Sequence, residues 1–339
     1  MKKTYLTVAV FLGLFAMAEI ALAATPEING DIRIRIQDRS GDTTSSAAGT
    51  LTITRLRLNV DLPVSENISV YSRLAIDQAA GRGHNNGVYD TEGVLDRWGV
   101  NWKFKNGAMK LGKQDVVLGQ DGLVLTTLID AVGENNQMTG LAARWKEGKT
   151  TFQILGGRLG EGLFQPLPKV KANLYALQID HQADRRLSVG ATYRQIAAID
   201  QYSSALAKYY LPQHTDVLTT YSLLASYYLD GKTKVYTEFG FSSADQHNRG
   251  IGFGLGHRMD KKNSYSINYF KQGVKSGLFG NWGSPDFTSK GTNTSWTGYA
   301  LYYRHHMDNR TMLEVSDYYE LGNEENRANQ FRVTLMANF

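Results

Sequence analysis

The sequence contains no cysteine. That excludes a disulfide framework, thiolate catalysis and thiolate zinc sites. Proline is scarce, six in 339 residues, so little interrupts the long extended segments. Beyond the first residues no apolar stretch approaches the roughly 20 residues of a membrane helix. If the chain enters lipid, it must do so as a closed barrel, because hydrocarbon offers no partner to an open backbone edge. No charge block exists either: 37 basic and 32 acidic residues are spread along the chain for a net +5, which gives nucleic-acid binding little support. No Pro/Ser-rich linker or low-complexity segment divides the chain.

What is present is glycine, tyrosine and alternation. The chain holds 34 Gly and 19 Tyr, which suits many strands joined by wide loops. Its first residues carry Lys2 and Lys3, an apolar run over Val8–Met17, Glu19, and an A-x-A signal at Ala21-Leu22-Ala23. This is the pattern of a secretory signal peptide spanning residues 1–23, with Ala24 as the first mature residue. The apolar run is too short for an anchoring helix.

At the other end, Phe331, Val333, Leu335, Ala337 and Phe339 share one parity, and Arg332, Thr334 and Asn338 the other. Only Met336 breaks the alternation. A tilted membrane strand needs about 9–11 residues, and apolar-out, polar-in alternation is what a transmembrane barrel requires.

The same rhythm runs through residues 24–339, which form one predicted all-β antiparallel barrel domain. The first strand, Asn29–Gln37, sets Ile32, Ile34 and Ile36 against Arg33 and Arg35. The second, Thr50–Leu62, sets Leu56, Leu58, Val60 and Leu62 against Arg55, Arg57 and Asn59. The third, Ile68–Asp77, puts Tyr71, Arg73 and Asp77 inside, and the fourth closes with Trp98, Val100, Trp102 and Phe104 outside. Short polar turns alternate with long loops, Asn106-Gly107 being a strong hairpin signal. The count is about sixteen strands, with fourteen or eighteen also compatible. An even count leaves both termini on the short-turn, periplasmic side. Outward aromatics gather near the short turns: Trp102, Phe104, Trp145, Tyr227, Tyr265, Tyr303 and Phe339. They predict an interfacial girdle at one height.

A barrel of this size leaves an aqueous channel, so function lies on the inward parity. Basic residues concentrate there in the first six strands: Arg33, Arg35, Arg55, Arg57, Arg73, Arg97, Lys103, Lys110 and Arg144. The inward acids are fewer, Asp31, Asp61 and Asp77. Such a wall attracts anions, although charged residues also serve simply to line any wet lumen. The third long loop, residues 114–134, carries Val116, Val117, Leu118, Leu123, Val124, Leu125, Leu128 and Ile129. An exposed loop should be polar. This one is expected to fold inside and present Asp115, Asp121, Asp130 and Glu134 to the Arg wall; a short extra strand or surface helix is the alternative.

Two other strings receive plainer readings. Gly252-x-Gly254-x-Gly256 looks like a nucleotide loop, but no helix pattern follows. It reads as a strand with a bare inner face where another segment packs. His305-His306 falls in a predicted turn and is a poor metal site. No Ser–His–acid arrangement is evident, and no cofactor is expected.

A leading signal peptide, this strand rhythm, the third loop and a terminal strand ending in Phe339 together resemble Gram-negative outer-membrane general diffusion porins. The resemblance implies passive diffusion of small hydrophilic solutes and ions, a constriction loop in the lumen, contact with outer-membrane lipid and a homotrimer. It also implies that Phe339 is read by the barrel assembly machinery. Three rival classes stay open: a substrate-specific channel for sugar, phosphate or carboxylate, an outer-membrane hydrolase, and an envelope tether.

Overall fold

The computed structural model describes residues 25–41, 49–81, 89–90, 94–115, 117–119, 137–159, 172–198, 217–243, 248–273, 296–321 and 327–339. The predicted signal peptide therefore lies outside the described residues. The chain begins with β1 (Glu27–Gly41), β2 (Gly49–Pro63), β3 (Ile68–Gly81), the two-residue β4 (Tyr89–Asp90), β5 (Val94–Phe104), β6 (Gly107–Asp115), β7 (Gln137–Glu147) and β8 (Thr150–Leu159). It continues with β9 (Ala172–Gln182), β10 (Leu187–Ala198), β11 (Val217–Tyr228), β12 (Thr233–Ser242), β13 (Arg249–Arg258), β14 (Asn263–Gln272), β15 (Trp296–His306), β16 (Thr311–Leu321) and β17 (Arg327–Asn338).

Each strand pairs antiparallel with its chain neighbour, and β17 pairs with β1. The sheet is thus closed and has no edge to satisfy. Because β4 and β5 both lie against β3, they form one stave, and the wall has sixteen. The predicted strands extend further than the alternation alone suggested. The first runs to Gly41 rather than Gln37, and the third to Gly81 rather than Asp77. Polar residues beyond the apolar band continue the ladder, since backbone pairing does not require apolar side chains.

The outward parity is apolar along almost the whole circumference. Ile32, Ile34, Ile36, Leu56, Val100, Leu111, Ile154, Leu177, Leu223, Phe253, Leu301 and Leu335 are all exposed. In water such a belt would drive aggregation; in hydrocarbon it is the solvent-matched face. Two carboxylates in one row break it. Asp38 of β1 stands opposite exposed Phe331 from one side. Asp317 lies opposite exposed Leu301 and exposed Phe331, in the middle of β16.

Near the short turns Trp102 meets Phe104 edge-on and Trp145 stacks on Phe152. A second outward cluster, missed in the sequence, lies toward the long loops, where Tyr221 contacts both Tyr193 and Phe241. Tyr269 likewise contacts Tyr299.

Four short turns share one device. The Oδ1 of Asp184, Asp230, Asp260 and Asp308 each accepts the backbone N–H groups two and three residues on, at 2.6–2.9 Å. Asp side chains do this readily, closing the turn on themselves. The donated N–H groups hold all four carboxyls below their ordinary value, with the Asn263 side chain the largest contributor at Asp260.

Phe339 seals the closure. Its N–H and C=O exchange hydrogen bonds with Gly30 at 3.0 Å. Its ring lies over that glycine so closely that a Cβ there would come within 2.5 Å of the ring.

Candidate functional site

The inner wall carries the chemistry. Alternation turns Arg33, Arg35, Arg55, Arg57 and Arg73 inward, and the ladder sets their register. Arg33 stands opposite Arg55, and Arg57 opposite Asp31, with 3.6 Å between Arg57 Nε and the Asp31 carboxylate. Arg35 donates to Thr334 Oγ1 at 3.3 Å across the β1–β17 seam. Arg73 stands opposite Arg97. Like charges placed directly opposite repel, so this pair needs carboxylates close by.

A register shift supplies the first one. Between Arg73 and Leu74 the β3–β5 ladder slips by one residue. Leu95 takes the outward position opposite Leu74, and Asp96 and Arg97 both turn inward. Asp96 is 0% exposed and Arg73 2%. The Arg73 guanidinium grips the Asp96 carboxylate with two N–H groups, Nε at 2.7 Å and Nη2 in closer contact. The expected set of inward acids, Asp31, Asp61 and Asp77, therefore omitted Asp96. A bulge adds one residue to one strand only, and strict alternation from outward Trp98 and Val100 would put Asp96 on the lipid face.

Asp115 supplies the second. It ends β6 rather than opening the loop, and it lies on the same parity as exposed Leu111. Even so, its carboxylate contacts Arg97 directly and approaches Arg73 Nη2 at 3.8 Å. The chain is leaving the wall here, so parity no longer decides direction.

Past Asp115 the segment 117–119 lies against the inner face of β8 and β9. Gln153 Nε2 donates to the Val117 carbonyl at 2.9 Å. Gln178 accepts from the Gly119 N–H at 2.8 Å and donates back to its carbonyl at 3.3 Å. Gln153 and Gln178 stand opposite each other, on the inward parity. Leu118 is 1% exposed, and the nearby inward positions of β7–β9 hold buried Met138, Leu155, Leu174 and Ala176. Polar tethers flank an apolar side chain against an apolar patch. The next glycines help: Gly112, Gly140 and Gly157 lie in one row, where a Cβ on Gly140 would come within 2.4 Å of the Gly157 Cα. Asp121, Asp130 and Glu134 lie outside the described residues.

Lys103, Lys110 and Arg144 are inward by register but exposed, close to the short turns; Lys110 Nζ sits 5.5 Å from the Tyr71 ring centroid. The cationic wall is also broader than the first six staves. Buried Arg194 donates to Thr220 Oγ1 at 3.3 Å. Arg332 lies over Tyr318 at 4.5 Å, and Arg304 binds Glu314 at 2.7 Å. Buried Glu238 also faces inward. The same alternation marks these residues in the sequence, but β10, β15 and β17 each carry a single inward arginine rather than a pair.

The glycine strand has the bare inner face expected of it. What covers it is Tyr236, whose ring a Cβ on Gly254 would strike at 2.0 Å. His305 and His306 end β15 instead of forming a turn, and His305 Nδ1 bonds the Asn263 amide oxygen at 2.8 Å. No group of three or more potential metal ligands occurs among the described residues.

No protein-family model matches the chain, and no curated protein matches its sequence. Solved structures do match its fold. It is similar to an engineered mutant of Rh. blastica porin at 11% identity and TM-score 0.57, covering 93% of this chain and 100% of that one. It is similar to a loop-deletion mutant of OmpT, an outer membrane protein of Vibrio cholerae, at 12% identity and TM-score 0.59, covering 94% and 100%. A third similar structure concerns asymmetric conductivity of engineered proteins, at 12% identity and TM-score 0.57, covering 93% and 100%. At these identities the likeness is one of fold. Closure, an apolar outer belt and a charged inner face are the build of an outer-membrane-type barrel, and that is the fold this chain shares with these structures.

Proposed function

We propose that this barrel is a channel for passive diffusion of ions and small hydrophilic solutes, mildly anion-selective, and not an enzyme. The observation that carries the reading is a sixteen-stave closed wall whose inward face is charged and polar. Side chains cannot fill a lumen of that width. Residues 117–119, tied to Gln153 and Gln178, support a constriction loop that narrows it. In this reading Arg33, Arg35, Arg55, Arg57, Arg73, Arg97, Lys110 and Arg144 line the path. Asp115, with Asp121, Asp130 and Glu134 of the loop, offsets part of their field. Anion preference is mild because water and salt screen charges over about 10 Å at 0.1 M.

Removal of residues 1–23, recognition of Phe339 by the assembly machinery and assembly as a homotrimer belong to the same proposal. One of the similar structures concerns conductivity, which agrees with it. A substrate-specific channel is the second reading, favoured by the inner-wall cavity described below. Single-channel recording in planar bilayers under a salt gradient is the test. Anion preference that moves toward cations when Arg33, Arg35, Arg55 and Arg57 are all replaced by Gln supports the proposal. A purified, folded barrel that conducts nothing overturns it.

A further inference from the structure

The inner wall of β11–β15 contains a concavity of about 690 Å³ next to the short turns. It exists because β13 offers no side chain to the lumen ahead of Arg258: Gly250, Gly252, Gly254 and Gly256 occupy its other inward positions. Tyr236 fills the space over Gly254 and donates its hydroxyl to Asn268 Oδ1 at 2.9 Å. One row nearer the mouth nothing plays that part. A Cβ on Gly256 would meet only the Tyr236 ring edge, at 3.8 Å. The floor of the concavity is therefore bare backbone.

The register lays out its walls. Lys234, Gly256, Ser266 and Tyr302 form one row. Arg258, Ser264 and Arg304 form the row toward the mouth, and Tyr236, Gly254 and Asn268 the row above. Lys234 Nζ is poised over the Tyr228 ring at 5.1 Å, and the Arg304 guanidinium over the Tyr302 ring at 5.6 Å. Glu314 holds Arg304 from behind at 2.7 Å. Arg258 and Lys232 are directed at turn carbonyls, those of Gly231 and Met259. The nearby acids Asp230 and Asp260 are occupied with backbone N–H groups of their turns. The lining itself contains four cations and no carboxylate.

We propose that this concavity is a binding subsite for small hydroxylated carboxylates of the sugar-acid kind. Lys234 and Arg304 flank the bare floor three staves apart, roughly 14 Å between backbones, and their long side chains narrow that gap. A carboxylate meets either cation, Arg304 being the planar, two-pronged partner. The ring or chain of the solute lies over Gly256. Its hydroxyls meet Ser264, Ser266 and Asn268, which donate and accept in alternation. Charge alone or hydroxyls alone would satisfy only half of the lining. The inference rests on the channel reading only for how the solute arrives.

Saturation-transfer NMR on the detergent-solubilised barrel tests it without conduction, using glucuronate, glucose and acetate as probes. Glucuronate should bind in the millimolar range, and at least about tenfold more tightly than glucose or acetate. Gly256→Leu fills the floor where an added side chain has room, and Lys234→Gln removes one cation. Each should weaken glucuronate about tenfold while heat-resistant folding is retained. Recording in bilayers should then show glucuronate blocking current from the short-turn side, with block relieved in both variants. Equal binding of acetate and glucuronate, or unchanged glucuronate binding in both folded variants, overturns the subsite. Binding that behaves as stated in a barrel that conducts nothing would overturn the channel and leave the subsite standing.

Discussion

Replacing Asp96 with Ala tests the bulge and the charge cluster together. Asp96 is fully buried, and its only route to that position is the slipped register between β3 and β5. Removing it strips the principal carboxylate from Arg73, itself 2% exposed. Breaking a buried pair from one side costs about 3–5 kcal/mol. Asp115, whose carboxylate lies 3.8 Å from Arg73, offsets part of this. Two charges at that separation interact by roughly 4 kcal/mol at an effective dielectric of 20, but Asp115 must also serve Arg97. The net expectation is a loss of about 3 kcal/mol. With a urea slope of about 3 kcal/mol/M, the unfolding midpoint falls by about 1 M. Tryptophan fluorescence in lipid vesicles, during urea unfolding, reads that shift. Channel recording provides a second reading, since losing an inward carboxylate should raise anion preference. Arg73→Met combined with Asp96→Leu should be far closer to wild type than either half-change, because neither charge is then stranded. A loss under about 0.5 kcal/mol, or strictly additive single and double changes, would mean that Arg73 and Asp96 do not form a buried pair.

Three further outcomes are expected. Deleting residues 119–129 should raise single-channel conductance and admit larger solutes, and Gln178→Ala should do so partially; unchanged conductance in folded variants would place this segment outside the path. Replacing Phe339 with Asp, or Gly30 with Val, should lower outer-membrane abundance, because each separates the ring from its glycine seat; quantitative immunoblotting of membrane fractions reads this, and normal levels in both variants would refute it. The four turn aspartates have folded values below the ordinary 3.8, so their stabilising contribution is present above that value and is lost as pH falls through the folded values. Resistance to heat in detergent gels should accordingly drop below about pH 4, and replacing all four with Asn should flatten that dependence; an unchanged profile in the quadruple variant would show that other groups govern it.

Much of this protein is local and therefore readable from one strand at a time. Period-two alternation places Ile32, Ile34 and Ile36 in lipid and Arg33 and Arg35 in the lumen without reference to any partner. Short turns such as Asn106-Gly107 specify hairpins from two residues. These signals determined a closed barrel of about sixteen staves and its inner arginines. What they could not determine are relations between strands. The bulge at Asp96 is a mismatch between β3 and β5, invisible in either alone, and it moves a carboxylate from the lipid face to the lumen. The contact of Asp115 with Arg97 depends on where the chain leaves the wall. The seat of Leu118 depends on β8 and β9 bringing Gln153 beside Gln178. The concavity over Gly256 needs four strands in register, so that a bare glycine on one lies between a lysine on a second and hydroxyls on a third. Side-chain direction is encoded residue by residue, but register arises only on closure of the sheet, when every stave must match two neighbours at once.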